Sequence, residues 1–137
     1  MKIDKFNLTA YFIRYNNEYF NGILPVPQFK VRHSYFTLGY FSCRYDNDYE
    51  MYDTLLEISD RYDYTDEQLR DIIVHEMIHY YLAYTKEDVR MKHGRSFMDI
   101  AKILNSEYNM NISPKINVSK YRKKFSFSLS YILVHFL

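Results

Sequence analysis

The sequence predicts a single α+β domain of three main helices and a small three- or four-stranded sheet, with a buried histidine-bearing helix at its centre. Three observations carry this expectation. Apolar residues recur at a helical period in three segments. Between the first two of these, apolar and polar residues alternate through three short stretches rich in aromatic and β-branched types. At 137 residues the chain fits one domain, able to bury about two-thirds of its unfolded surface without help from a disulfide or metal.

The first helix is read over residues 7 to 20, where Leu8, Tyr11, Phe12, Tyr15 and Tyr19 share a face. Asn21-Gly22 stops it before the extended segment ILPVP. Phe29, Val31 and His33 then alternate with polar neighbours, residues 36 to 45 read as a second strand, and Thr54, Leu56 and Ile58 place a third over about 52 to 58. That third strand is offered as a sheet edge able to hold an extended peptide by strand addition. Thr65 with Gln68 forms a capping box, and Asp66 and Glu67 put negative charge where the helix dipole favours it. The second helix is therefore expected from Asp66 to about Tyr84. Phe97, Ile100, Ala101 and Leu104 predict a third from about Ser96 to Glu107.

The ends have a different character. The first residues carry charge and no apolar run of secretory length, so no signal peptide is expected. No stretch reaches the ~18 apolar residues of a membrane helix. Cys43 is the single cysteine, which excludes an internal disulfide and a cysteine zinc ribbon and makes a reducing, cytoplasmic setting the expectation. Residues 120–137 form a basic and then apolar tail: FSFSLSY alternates like an added strand, and ILVHFL offers an alternative role in self-association.

Charge is uneven along the chain although its net value is only +1. Residues 46 to 67 hold nine acids against Arg61 alone, while residues 86 to 124 hold ten bases against four acids. The second half is thus suited to an anionic partner, or is a solvated face.

The stretch HEMIH, residues 75 to 79, carries the chemistry. One helical turn separates His75 from His79, about 6 Å, so both imidazoles can grip one ion, while Glu76 reaches a water on that ion as a general base does. Ile72, Ile73, Met77, Ile78, Tyr80 and Leu82 make the helix apolar nearly all round. Burying two imidazoles and a carboxylate there is costly unless a divalent cation compensates. A catalytic zinc takes three protein ligands and keeps one position open. His93, after a short turn and before Gly94, is the favoured third ligand, with Asp99, Glu87 and Glu107 as rivals. Tyr40, Tyr80, Tyr81 and Tyr84 are the candidates for an oxyanion donor. The H-x-x-G-x-x-H continuation of metzincins is absent, because Leu82 and Thr85 occupy its Gly and last His positions. His33 and His135 read as structural or surface histidines, and Cys43 as a packing residue.

YFNGILP (19–25), TLLEIS (54–59), HEMIHYYL (75–82) and HGRSF (93–97) together resemble the SprT-like family, which includes the Spartan protease domain. The resemblance spans roughly residues 7 to 112. It implies a zincin-like fold over residues 1–119, with Zn²⁺ held by His75, His79 and His93 and with Glu76 as catalytic base. The implied function is a zinc-dependent endopeptidase acting on protein or peptide substrates, DNA-associated proteins among them. The alternative is a metal-binding or nucleic-acid-associated adaptor with little turnover. Arg90, Lys92, Arg95 and the basic cluster at 120–124 are the candidate DNA contacts, since the zinc ribbon found in many SprT-like chains is missing.

Overall fold

The computed structural model describes residues 2–124. Its elements run α1 (Lys5–Tyr19), β1 (Gln28–Arg32), β2 (Gly39–Tyr45), β3 (Met51–Ser59), α2 (Asp66–Tyr84), α3 (Arg95–Tyr108) and a 3-10 turn at Val118–Lys120. The strand expected in the apolar tail lies outside the described residues, as does His135.

Helix α1 starts where the Asp4 carboxylate accepts from the Asn7 N–H at 2.7 Å, and it buries Leu8, Phe12, Tyr15 and Asn16. It stops at Asn21 and Gly22, which both take the left-handed conformation that ends helices. The buried Asn16 then fixes the exit of the chain. Its amide donates to the Leu24 carbonyl at 2.8 Å and its oxygen accepts from the Leu24 N–H at 3.3 Å. This is the structural use of the YFNGILP stretch: a helix end, a reversal, and an extended run tied back to the helix.

Three strands form one sheet in the order β1-β3-β2, with β1 parallel and β2 antiparallel to β3. The expectation that the 52–58 strand forms a sheet edge is corrected: β3 is central and hydrogen-bonded on both sides. Leu56 and Ile58 are fully buried as expected, but Glu57 and Ser59, at the alternate positions, are buried as well. Period-two patterning reports which way side chains point but says nothing about which strands lie alongside. Among the described residues the two edges of the sheet are β1 and β2.

Helix α2 opens with the complete capping box, Gln68 N–H to Thr65 Oγ1 at 3.1 Å and Thr65 N–H to Gln68 Oε1 at 3.0 Å. It packs against β2, β3, α1 and α3. Leu69, Ile72, Ile73, Val74, Met77, Ile78, Leu82 and Ala83 are all buried, as the apolar circumference of the helix requires. Each large apolar side chain contributes about 1.5–3 kcal/mol, and together they offset the cost of enclosing His75, Glu76 and His79 on the same helix.

Beyond α3 the chain returns across the molecule. The Asp63 N–H donates to the Arg122 carbonyl at 2.7 Å and the Lys124 N–H to the Arg61 carbonyl at 3.0 Å, so residues 122–124 lie against 61–63.

Candidate metal centre

His75 and His79 share one face of α2, and the chain that leaves this helix brings His93 back to them. The Nε2 atoms of His75 and His93 are 3.1 Å apart, and those of His79 and His93 are 2.9 Å apart. All three imidazoles rest on the buried ring of Phe97, with centroid separations of 4.8 to 4.9 Å. Phe97 lies in the first turn of α3, so the HGRSF stretch delivers both the third histidine and the apolar floor beneath the cluster.

The electrostatics fit a cation. Burial, reinforced by the neighbouring imidazoles, holds His75 down at about 3 and His79 at about 4, and burial lowers His93 as well. The rings are therefore neutral near pH 7. Each neutral imidazole carries one unprotonated ring nitrogen, the lone pair a metal ion takes. Neutral imidazole nitrogens gathered about 3 Å apart are the donor set that a divalent metal takes, and no other group of three or more His, Cys, Asp or Glu among the described residues gathers in this way.

Glu76 stands beside the cluster, its Oε2 4.0 Å from His75 Nε2. Burial raises its carboxyl to about 8. Gly39, at the start of β2, comes so close that a Cβ there would lie 3.0 Å from both Glu76 Cγ and Oε2, and 3.1 Å from Ile72 Cγ2. Glycine is needed at this position for close approach rather than for an unusual backbone angle. Glu76, the three histidines and the first residues of β2 line an open cavity of about 290 Å³, closed on its other sides by Phe36, Met91, Pro114 and Ile116.

The remaining candidates separate clearly. Glu87, Asp99 and Glu107 are exposed and stand outside the cluster. Of the four tyrosines, Tyr40 lines the cavity. Tyr80 instead donates to the Pro25 carbonyl at 2.7 Å and stacks on Phe41, Tyr81 packs on Phe20, and Tyr84 lies edge-on to Tyr80. His33 is exposed and paired with Asp60 at 2.9 Å. Cys43 is partly buried on β2, with its thiol raised by burial. Arg90, Lys92, Arg95 and the bases at 120–124 are exposed, and Lys123 lies over the Tyr35 ring at 5.5 Å. Gly39 went unnoticed in the sequence because its role depends on β2 and α2 meeting in space.

A central buried helix, a returning histidine and a small mixed sheet make this a zincin-like domain with a three-histidine cluster suited to a metal ion. The SprT-like family model matches residues 8–122, and the chain belongs to the SprT-like family. Its site is accordingly metallopeptidase-like. No curated protein and no solved structure matches the chain. No helix among the described residues is long and apolar enough to cross a membrane.

Proposed function

We propose that this chain is a zinc-dependent endopeptidase, with His75, His79 and His93 holding the ion and Glu76 acting as general base. The observation that carries this reading is the convergence of three neutral imidazoles beside a buried carboxyl on the wall of an open cavity. A bound zinc supplies Lewis acidity, lowering the pKa of a water and polarising a peptide carbonyl. The protein supplies the rest. Burial alone keeps Glu76 protonated near neutral pH, and a cation held by the neighbouring histidines would favour its ionised form, in which it can accept a proton. Glu76 Oε2 then carries that proton to the leaving amine. A structural zinc site is closed by a fourth protein ligand and has no use for a base.

The free edge of β2 is the natural place for an extended substrate, because its first residues already line the cavity. The exposed Arg90, Lys92 and Arg95 around His93 extend the reading to DNA-associated substrates. Binding to single-stranded DNA that weakens steeply with salt tests that extension, and salt-independent binding refutes it.

Zinc content and casein cleavage should be measured for the parent, Glu76→Gln and His93→Ala. Glu76→Gln is expected to keep its zinc and lose about 10²–10⁴-fold in rate, while His93→Ala loses most of its zinc. Cleavage that survives Glu76→Gln would sink the mechanism. Full zinc occupancy in a parent without turnover favours the adaptor reading instead.

A further inference from the structure

We propose that Asp88 is a positioning residue for His93: its carboxylate closes the loop that presents this third imidazole to the two on α2. The inference rests on the metal reading above and concerns a residue outside the expected ligand set.

His75 and His79 need no special support, since the buried helix fixes them. His93 is different. It is exposed, it lies on the connection between α2 and α3, and Gly94 after it caps α3 without a side-chain hydrogen bond. The connection leaves α2 through Lys86 in the left-handed region, and the Asp88 N–H returns to the Leu82 carbonyl at 3.1 Å. From that anchored position the Asp88 side chain reaches forward. Its Oδ1 accepts from the Arg90 N–H at 2.9 Å and its Oδ2 from the Lys92 N–H at 3.2 Å. Both oxygens are thus engaged by main-chain donors in the residues just before His93. Between those donors Met91 is left-handed and contributes to the cavity wall. One carboxylate therefore sets the course of the backbone up to the histidine.

A ligand on an unsupported loop must be ordered each time an ion binds, and that entropy is subtracted from affinity. Groups that orient ligands commonly contribute ~10–100-fold in metal affinity. Asp88→Ala removes both acceptors and is expected to fall in that range. Asp88→Asn keeps the shape and one oxygen acceptor, and is expected between Asp88→Ala and the parent.

The test is a zinc titration of the full chain against a competing chelator, for the parent, both Asp88 variants, His93→Ala and the double variant. Thermal melting in EDTA identifies any variant that has lost its fold, and the milder Asp88→Asn serves if Asp88→Ala is one of these. Asp88 acting through His93 predicts that Asp88→Ala changes affinity by less than about twofold once His93 is already alanine. Affinity within about twofold of the parent in Asp88→Ala overturns the inference, and so does an equal loss with and without His93. A parent that binds no zinc overturns the metal reading and this inference together, an outcome distinct from either of those.

Discussion

Gly39 shows how little space the buried Glu76 carboxyl leaves beside it. A methyl group placed there would meet Glu76 and Ile72 at 3.0 to 3.1 Å, tighter than ordinary van der Waals contact. Gly39→Ala is expected to shift the Glu76 carboxyl by a few tenths of an ångström and to reduce cleavage by ~10–100-fold. The strain should lower stability by about 1–3 kcal/mol. Zinc affinity should stay at the parental value, because the clash falls on Glu76 and Ile72 rather than on the histidines. Kinetics, a zinc titration and urea unfolding on one preparation check all three, and unchanged kinetics would show that Glu76 has slack. His75, Glu76, His79 and His93 could be picked out in the sequence because helical spacing and local context mark them. Gly39 could not, since an isolated glycine at the start of a strand looks the same whether it meets solvent or a carboxylate. Asp88 was hidden for a related reason: it does its work through main-chain donors, which leave no trace in residue types.

Among the elements, α2 was the most legible and the sheet the least. Its N-terminus was marked by Thr65 and Gln68, and the structure realises the reciprocal hydrogen bonds. Thr65→Ala is expected to lower stability by about 1 kcal/mol, read from the urea midpoint, with zinc affinity unchanged because His75 lies more than two turns further along. A drop in zinc affinity instead would mean that the cap sets the position of the histidines. The strands were recognised close to their true spans, but their order was not. On the face of β3 away from α2, Glu57 is buried between Lys30 at 4.0 Å and Arg32 at 3.9 Å on the neighbouring β1. That pairing depends on which strand lies alongside, and alternation within β3 carries no such information.

For the molecule as a whole, the aromatic excess has a structural use. Tyr45, Tyr62, Tyr64 and Tyr80 donate their hydroxyls to the main-chain carbonyls of Ala83, Tyr35, Ser59 and Pro25, so buried and half-buried rings also fasten loops and element ends. The same enclosed interior makes the metal-free protein sensitive to pH. The Glu76 carboxyl is raised to about 8 from an ordinary 4.5, so the unfolded chain releases this proton first and stability falls as pH rises between those values. His75 and His79 are lowered from 6.5 to about 3 and about 4, so the unfolded chain gains these protons first and stability falls as pH drops below 6.5. Two imidazoles outweigh one carboxyl where the ranges overlap. Stability in EDTA should therefore peak near pH 6.5, and Glu76→Gln should flatten the alkaline side. Urea midpoints across pH check this, and an alkaline decline left intact by Glu76→Gln would contradict it.

The strand order also carries a consequence for chain closure. β2 and β3 are joined by a tight reversal in which Asp46 Oδ1 accepts from the Asp48 and Glu50 N–H groups, bringing Tyr45 opposite Met51. β1 meets β3 in parallel only after the whole of β2 has intervened, with Gln28 opposite Leu55. Drawing those more distant ends together costs about 1 kcal/mol more in loop entropy. The wall of the cavity that carries Gly39 thus belongs to the half of the sheet that is cheaper to close.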